Sequence, residues 1–103
     1  MTLSLLLTTV AKKSDARRLS TTALQHRVAA CIQIVSGIES HYVWKGKKTT
    51  SREFLLIAKT SPRKRKSLEK LWKKLHPYDC PELLHLSGQA ASTYARWVSD
   101  STR

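Results

Sequence analysis

Ala30-Cys31-Ile32-Gln33-Ile34-Val35-Ser36-Gly37-Ile38-Glu39-Ser40-His41-Tyr42-Val43-Trp44-Lys45-Gly46-Lys47 is the stretch that decides how this chain folds. Ala30, Ile32, Ile34, Ile38, Tyr42 and Trp44 fall on even numbers, and Gln33, Glu39, His41 and Lys45 on odd ones. A period of two is that of a β-strand, whose side chains alternate between faces. The stretch therefore reads as one long strand with a covered face and a polar face, bulged at Ser36-Gly37. Trp44-Lys45-Gly46-Lys47 supplies a Gly-containing hairpin turn. A second long strand returns and ends in Glu53–Thr60, where the apolar residues are consecutive, so both faces should be covered near its centre.

Outward from this hairpin, Leu3–Val10 reads as a buried strand and Ala11-Lys12-Lys13 as a turn. Ser14 is the expected N-cap of a helix in which Ala16, Leu19, Ala23 and Leu24 recur at helical spacing to about Arg27. Ser61 is the expected cap of a second helix, with Pro62 in its first turn and an apolar stripe of Leu68, Leu71, Trp72 and Leu75. Leu83–Leu86 reads as a short strand, Ser87-Gly88-Gln89 as a loop, and Ala91 to about Ser101 as a last helix. The order is β-α-β-β-α-β-α. It predicts an α+β protein, a ferredoxin-like βαββαβ sandwich with a long hairpin and a C-terminal helix, in one domain over residues 1–103. Strands of about 14 residues span roughly 46 Å at ~3.3 Å per residue, more than the width of such a domain. Their ends should project as an arm. Its exposed aromatics, Tyr42 and Trp44, call for cover by another subunit.

The chain is 41% hydrophobic over 103 residues, enough for one modest core. No apolar run approaches the ~20 residues of a membrane span. No basic residue precedes Leu5-Leu6-Leu7, which argues against a secretory signal and points to the cytoplasm. Cys31 and Cys80 lack zinc-finger or redox-pair spacing, and both thiols are expected to be free. Nineteen Lys and Arg against seven Asp and Glu give a net charge of +12. Seven of the basic residues lie between Arg63 and Lys74, with Glu69 the one acid among them. Such a charge attracts polyanions without specificity. No aromatics interleave with it to read nucleic acid, apart from Trp72 in the apolar stripe. A Gly-rich phosphate loop, a nucleophile with a recognisable base and a paired-carboxylate motif are all lacking, so no enzyme activity is expected.

His76-Pro77-Tyr78-Asp79-Cys80-Pro81-Glu82 is a stiff connector, because each proline fixes its own φ and bars its predecessor from the α region. It carries possible metal or proton ligands in His76, Asp79, Cys80 and Glu82. The alternative is a rigid loop whose His and Glu only hold the backbone. Glu53, likewise, is either a ligand or the partner of a cation on a neighbouring strand.

These elements together resemble the CutA family of divalent-cation tolerance proteins. The resemblance rests on Ala29-Ala30-Cys31, Ser40–Lys47, Glu53 with Lys59-Thr60, His76-Pro77-Tyr78 with Pro81-Glu82, and Tyr94 with Trp97, in order and spacing. It implies a ferredoxin-like protomer in a homotrimer, related in architecture to the PII signalling proteins, with the arms extending sheets between subunits. It further implies a role in tolerance of copper or other divalent cations, with metal bound near Glu53 and His76. On this basis the expected metal site, for copper or zinc, is His76, Glu53 and Glu82. The expected intersubunit cleft holds Trp44, Lys59, Tyr78 and Pro81, and the trimer interface Tyr42, Tyr94 and Trp97. Some family members carry a first-strand cysteine that binds copper. Thr8 stands at that position here, which argues against tight copper(I) binding. Two other readings are a PII-like binder of a small anionic ligand through Lys59, and a nucleic-acid binder through residues 63–74.

Overall fold

The computed structural model describes residues 1–103. The strands are β1 (Thr2–Val10), β2 (Cys31–Trp44), β3 (Lys47–Thr60) and β4 (Leu84–Gln89), and the helices are α1 (Lys13–Gln25), α2 (Arg65–Leu75) and α3 (Ser92–Ser101). A 3-10 turn at Pro62–Lys64 leads into α2. The sheet order is β2-β3-β1-β4, antiparallel throughout. This is the ferredoxin-like arrangement expected for a split β-α-β pair.

α1 and α2 cover one sheet face. Ala16, Leu19 and Ala23 of α1 and Leu68 and Trp72 of α2 are buried against Leu6, Val10, Leu56 and Ala58. Trp72 is fully buried, and its indole Nε1 donates to the Leu19 carbonyl at 3.0 Å. That bond satisfies the one polar group the indole brings into the core. α3 packs Ala95 and Val98 on Leu3 at the start of β1.

The other sheet face carries Leu84, Leu86 and Val35, all exposed in the protomer, beside the partly covered Leu5, Leu7, Leu55 and Ile57. The molecule measures 44 × 24 × 22 Å, and its long axis reflects the projecting β2–β3 arm. Lys45 and Gly46 close the arm with φ of 51° and 76°. Positive φ at both central residues marks the turn type that matches strand twist in a two-residue hairpin.

The bulge lies where expected. Val35 pairs with Leu55 and Ile38 with Glu53, leaving Ser36 and Gly37 opposite Phe54. Gly37 has φ of 72°, open to glycine at no steric penalty. The bulge also corrects the expected single covered face. Paired residues share a face, so Ile32 and Ile34 face the helices with Ala58 and Leu56, whereas Ile38, Tyr42 and Trp44 face the opposite way with Glu53. One inserted residue exchanges the faces for the rest of the strand.

Three local expectations fail. Ser14 is not the cap of α1: the helix starts at Lys13 after an extended Lys12, without a side-chain cap. Ser61 precedes its helix but gives no cap bond, because its hydroxyl meets Thr102 Oγ1 at 2.9 Å. Ser87-Gly88-Gln89 is not a loop but the end of β4, where Gly88 pairs with Leu3. A Cβ at Gly88 would come within 3.1 Å of Leu5 Cδ1, so close packing against β1 selects the glycine.

Candidate functional site

The connector after α2 begins with His76, whose extended backbone (φ −67°, ψ 136°) is what the following proline demands. It carries the chain round the end of the sheet towards β4. His76 is 8% exposed and both ring nitrogens are engaged. Nδ1 accepts the Tyr78 backbone N–H at 3.1 Å. That bond places the ring hydrogen on Nε2, which donates to the Thr9 carbonyl at 3.0 Å with Thr8 Oγ1 at 2.9 Å. Burial lowers the His76 pKa below 6.5, against the opposing pull of the Thr9 carbonyl. The imidazole is thus a neutral strut.

Beyond it, the connector and the arm enclose a cleft of about 580 Å³ on the face away from the helices. Glu53, 8% exposed, lies on its wall and accepts the Tyr78 hydroxyl at 2.7 Å. Tyr78 is pushed far above its ordinary value, first by burial and then by the Glu53 carboxylate. Glu82 is raised by burial and then by the Glu53 charge. Tyr42 and Trp44 line the cleft from the arm, and Asp79 and Cys80 from the connector. The Tyr42 hydroxyl is held 2.6 Å from Ser51 Oγ.

The structure divides the expected site. Glu53, Glu82, Trp44, Tyr78 and Tyr42 share the cleft. His76 does not join them, because it is tied to Thr8 and Thr9 while Thr8 and Glu53 point to opposite sheet faces. Within one protomer no three His, Cys, Asp or Glu side chains come together to hold a metal ion. A copper or zinc shell of His76, Glu53 and Glu82 does not fit this protomer, since His76 has no free nitrogen to offer. Lys59 lies away from the cleft, donating to Gln33 Oε1, and Pro81 is not on the cleft wall either. Glu53 has no Lys or Arg partner; the expected cation on a neighbouring strand is replaced by the Tyr78 hydroxyl. Tyr94 and Trp97 are exposed on α3, with ring centroids 5.7 Å apart. Sequence reasoning named Asp79 and Cys80 as possible ligands in the connector without placing them in the cleft, and it missed Thr9 and Ser40 on the wall.

No helix is long and apolar enough to cross a membrane. The sequence matches the family described as "CutA1 divalent ion tolerance protein" over residues 4–101. A protein of Oryza sativa named "Protein CutA 1, chloroplastic" is 40% identical over 96 residues, which are 92% of this chain and 54% of that protein. The chain thus spans about half the length of this plant relative, and of the Arabidopsis thaliana one (53%). The "Divalent-cation tolerance protein CutA" of Thermus thermophilus is 34% identical over 93% of this chain and 94% of its own length. The crystal structure of the CutA1 protein of Ehrlichia chaffeensis superposes with a TM-score of 0.94 at 32% identity, covering 98% of this chain and 95% of that one. With the topology, the arm and the connector agreeing along nearly the whole length, this chain belongs to the CutA1 divalent ion tolerance family.

Proposed function

We propose that this chain is a non-enzymatic, homotrimeric divalent-cation tolerance protein, and that cations meet it at Glu53 and Glu82 in the cleft rather than at His76. The observation that carries this reading is Glu53, a carboxylate 8% exposed with no Lys or Arg beside it. A buried charge without a counter-charge is costly, and an incoming cation relieves it. Glu82, raised by burial and by Glu53, gains from the same cation. The donors are oxygens, which suit hard cations such as Mg²⁺ or Mn²⁺ that keep much of their water. A soft copper(I) site would need more than one thiolate or thioether, and the cleft offers a single sulfur, Cys80.

Trimer formation is supported by the uncovered apolar sheet face, the projecting arm and the exposed Tyr94 and Trp97. A non-enzymatic role is supported by the cleft chemistry. His41, the one histidine on its wall, is engaged with Glu39 at 2.6 Å rather than with Cys80. The free thiols of Cys31 and Cys80 suit a reducing compartment such as the cytoplasm. An anionic small molecule is disfavoured by a cleft lined with Glu53, Asp79 and Glu82 and no Lys or Arg. Thermal unfolding with MgCl₂, MnCl₂ and ZnCl₂ against NaCl of equal ionic strength tests the reading. A saturable rise in Tm with the divalent salts is expected, and indifference to all of them overturns it.

A further inference from the structure

Three of the seven acidic residues, Glu53, Asp79 and Glu82, line the one cleft, and none of the nineteen Lys and Arg residues does. In a chain of net charge +12 that separation is a local inversion of sign. The same walls carry three aromatic rings, Tyr42, Trp44 and Tyr78. Tyr42 and Tyr78 are oriented by hydroxyl bonds to Ser51 and Glu53, at 2.6 and 2.7 Å. Aromatic faces carry a negative quadrupole that attracts diffuse cations. The cleft volume, about 580 Å³, lies within the range of small-molecule sites and far exceeds one metal ion. The acids do not converge into a metal shell. Glu53 is the independent pointer to a ligand, being 8% exposed, on the cleft wall, and bonded through one oxygen only, to a neutral phenol.

We propose that this cleft binds an organic ammonium cation, with its charge set against Glu53 and its carbon substituents over the faces of Trp44 and Tyr42. This ligand class goes beyond the divalent-cation reading and does not depend on it. A compact hydrated metal ion gains from the carboxylates alone, whereas an alkylammonium ion gains from the rings as well. Glu82 and Asp79 add long-range attraction at the mouth of the cleft.

The test follows the Trp44 indole N–H resonance by two-dimensional NMR during titration with tetramethylammonium chloride, with NaCl at equal concentrations as control. A saturable displacement with tetramethylammonium alone is expected. Trp44 is 47% exposed, so Trp44→Leu should keep the fold; followed through the Tyr78 backbone amide, it should weaken binding about tenfold, from a cation–π loss of ~1–2 kcal/mol. Glu53→Gln should abolish the response. Displacement equal in NaCl, no displacement at all, or undiminished affinity in Trp44→Leu would each overturn the proposal. A Lys or Arg of a second copy filling the cleft would show as no response and overturn it too. MgCl₂ run on the same samples separates the two readings. Loss of the tetramethylammonium response with the magnesium response intact in Trp44→Leu supports both. A tetramethylammonium response without any magnesium response removes only the divalent reading.

Discussion

His76 shows how one residue type serves two chemistries according to its partners. Its Nδ1 is filled by a backbone N–H and its Nε2 points at Thr9 O and Thr8 Oγ1, so it braces the connector. Replacing it with Ala leaves those buried groups unpaired and opens a void. Such a change should lower stability by about 2–3 kcal/mol, measured by urea unfolding. The pH dependence carries a definite sign. The folded imidazole titrates below 6.5 because it is buried. Below about pH 6.5 the unfolded chain therefore takes up a proton that the folded chain refuses, and stability falls as pH drops. His76→Gln should flatten this slope below about pH 6.5. Glu82 acts with the opposite sign. Raised above 4.5, it contributes stability that is fully present below 4.5 and lost as pH rises through its folded value. The sequence put His76 in the stiff connector and Glu53 on the returning long strand. It could not show the sheet face of each, because that depends on the register of β1 with β3.

At the scale of elements, the β2 bulge does most to shape the site. Pairing the same residues in an unbroken ladder would turn Glu39, His41 and Val43 to the face of Glu53 in place of Tyr42 and Trp44. Deleting Gly37 should restore a regular ladder in which Ser36 pairs with Phe54 and Ile38 stays opposite Glu53, so that Tyr42 and Trp44 keep the cleft face. The expected result is a folded protein that retains the Tyr42–Ser51 and Tyr78–Glu53 contacts in a crystal structure; their loss would contradict this register. The even-numbered pattern predicted the strand and the bulge, but a period of two carries no signal of the face change that the bulge imposes. Two further positions hold ordinary residues in left-handed backbone, Arg27 at φ 55° after α1 and Lys45 at φ 51° in the hairpin. Arg27→Gly and Lys45→Asn should each raise stability by about 0.5–1 kcal/mol, read as a higher Tm. β4 was legible only in its apolar first half. Ser87-Gly88-Gln89 has turn composition, and its pairing with Thr2–Ser4 overrides that local preference.

For the whole molecule, charge and apolar surface are segregated. Lys12, Lys13, Arg17, Arg18 and Arg27 in or beside α1, with the seven basic residues from Arg63 to Lys74, stand in the helical layer against only Asp15 and Glu69. Some are spoken for: Arg18 caps the Leu75 carbonyl at 3.0 Å, and Arg63 binds Ser99 at 2.9 Å. The lysines remain free to meet phosphates without sequence preference. Retention on a DNA column that is lost by ~0.2 M salt is the expected behaviour. The opposite face carries the apolar surface, and if the proposed trimer buries it, light scattering should give three times 11.7 kDa for wild type and a monomer for Leu86→Glu. The central claim is that cations meet Glu53 in the cleft while His76 only supports it. The most direct measurement is calorimetric titration of a divalent salt into wild type, Glu53→Gln and His76→Gln under one set of conditions. Binding should vanish in Glu53→Gln and persist in His76→Gln. Binding that survives in Glu53→Gln and disappears in His76→Gln would contradict the account.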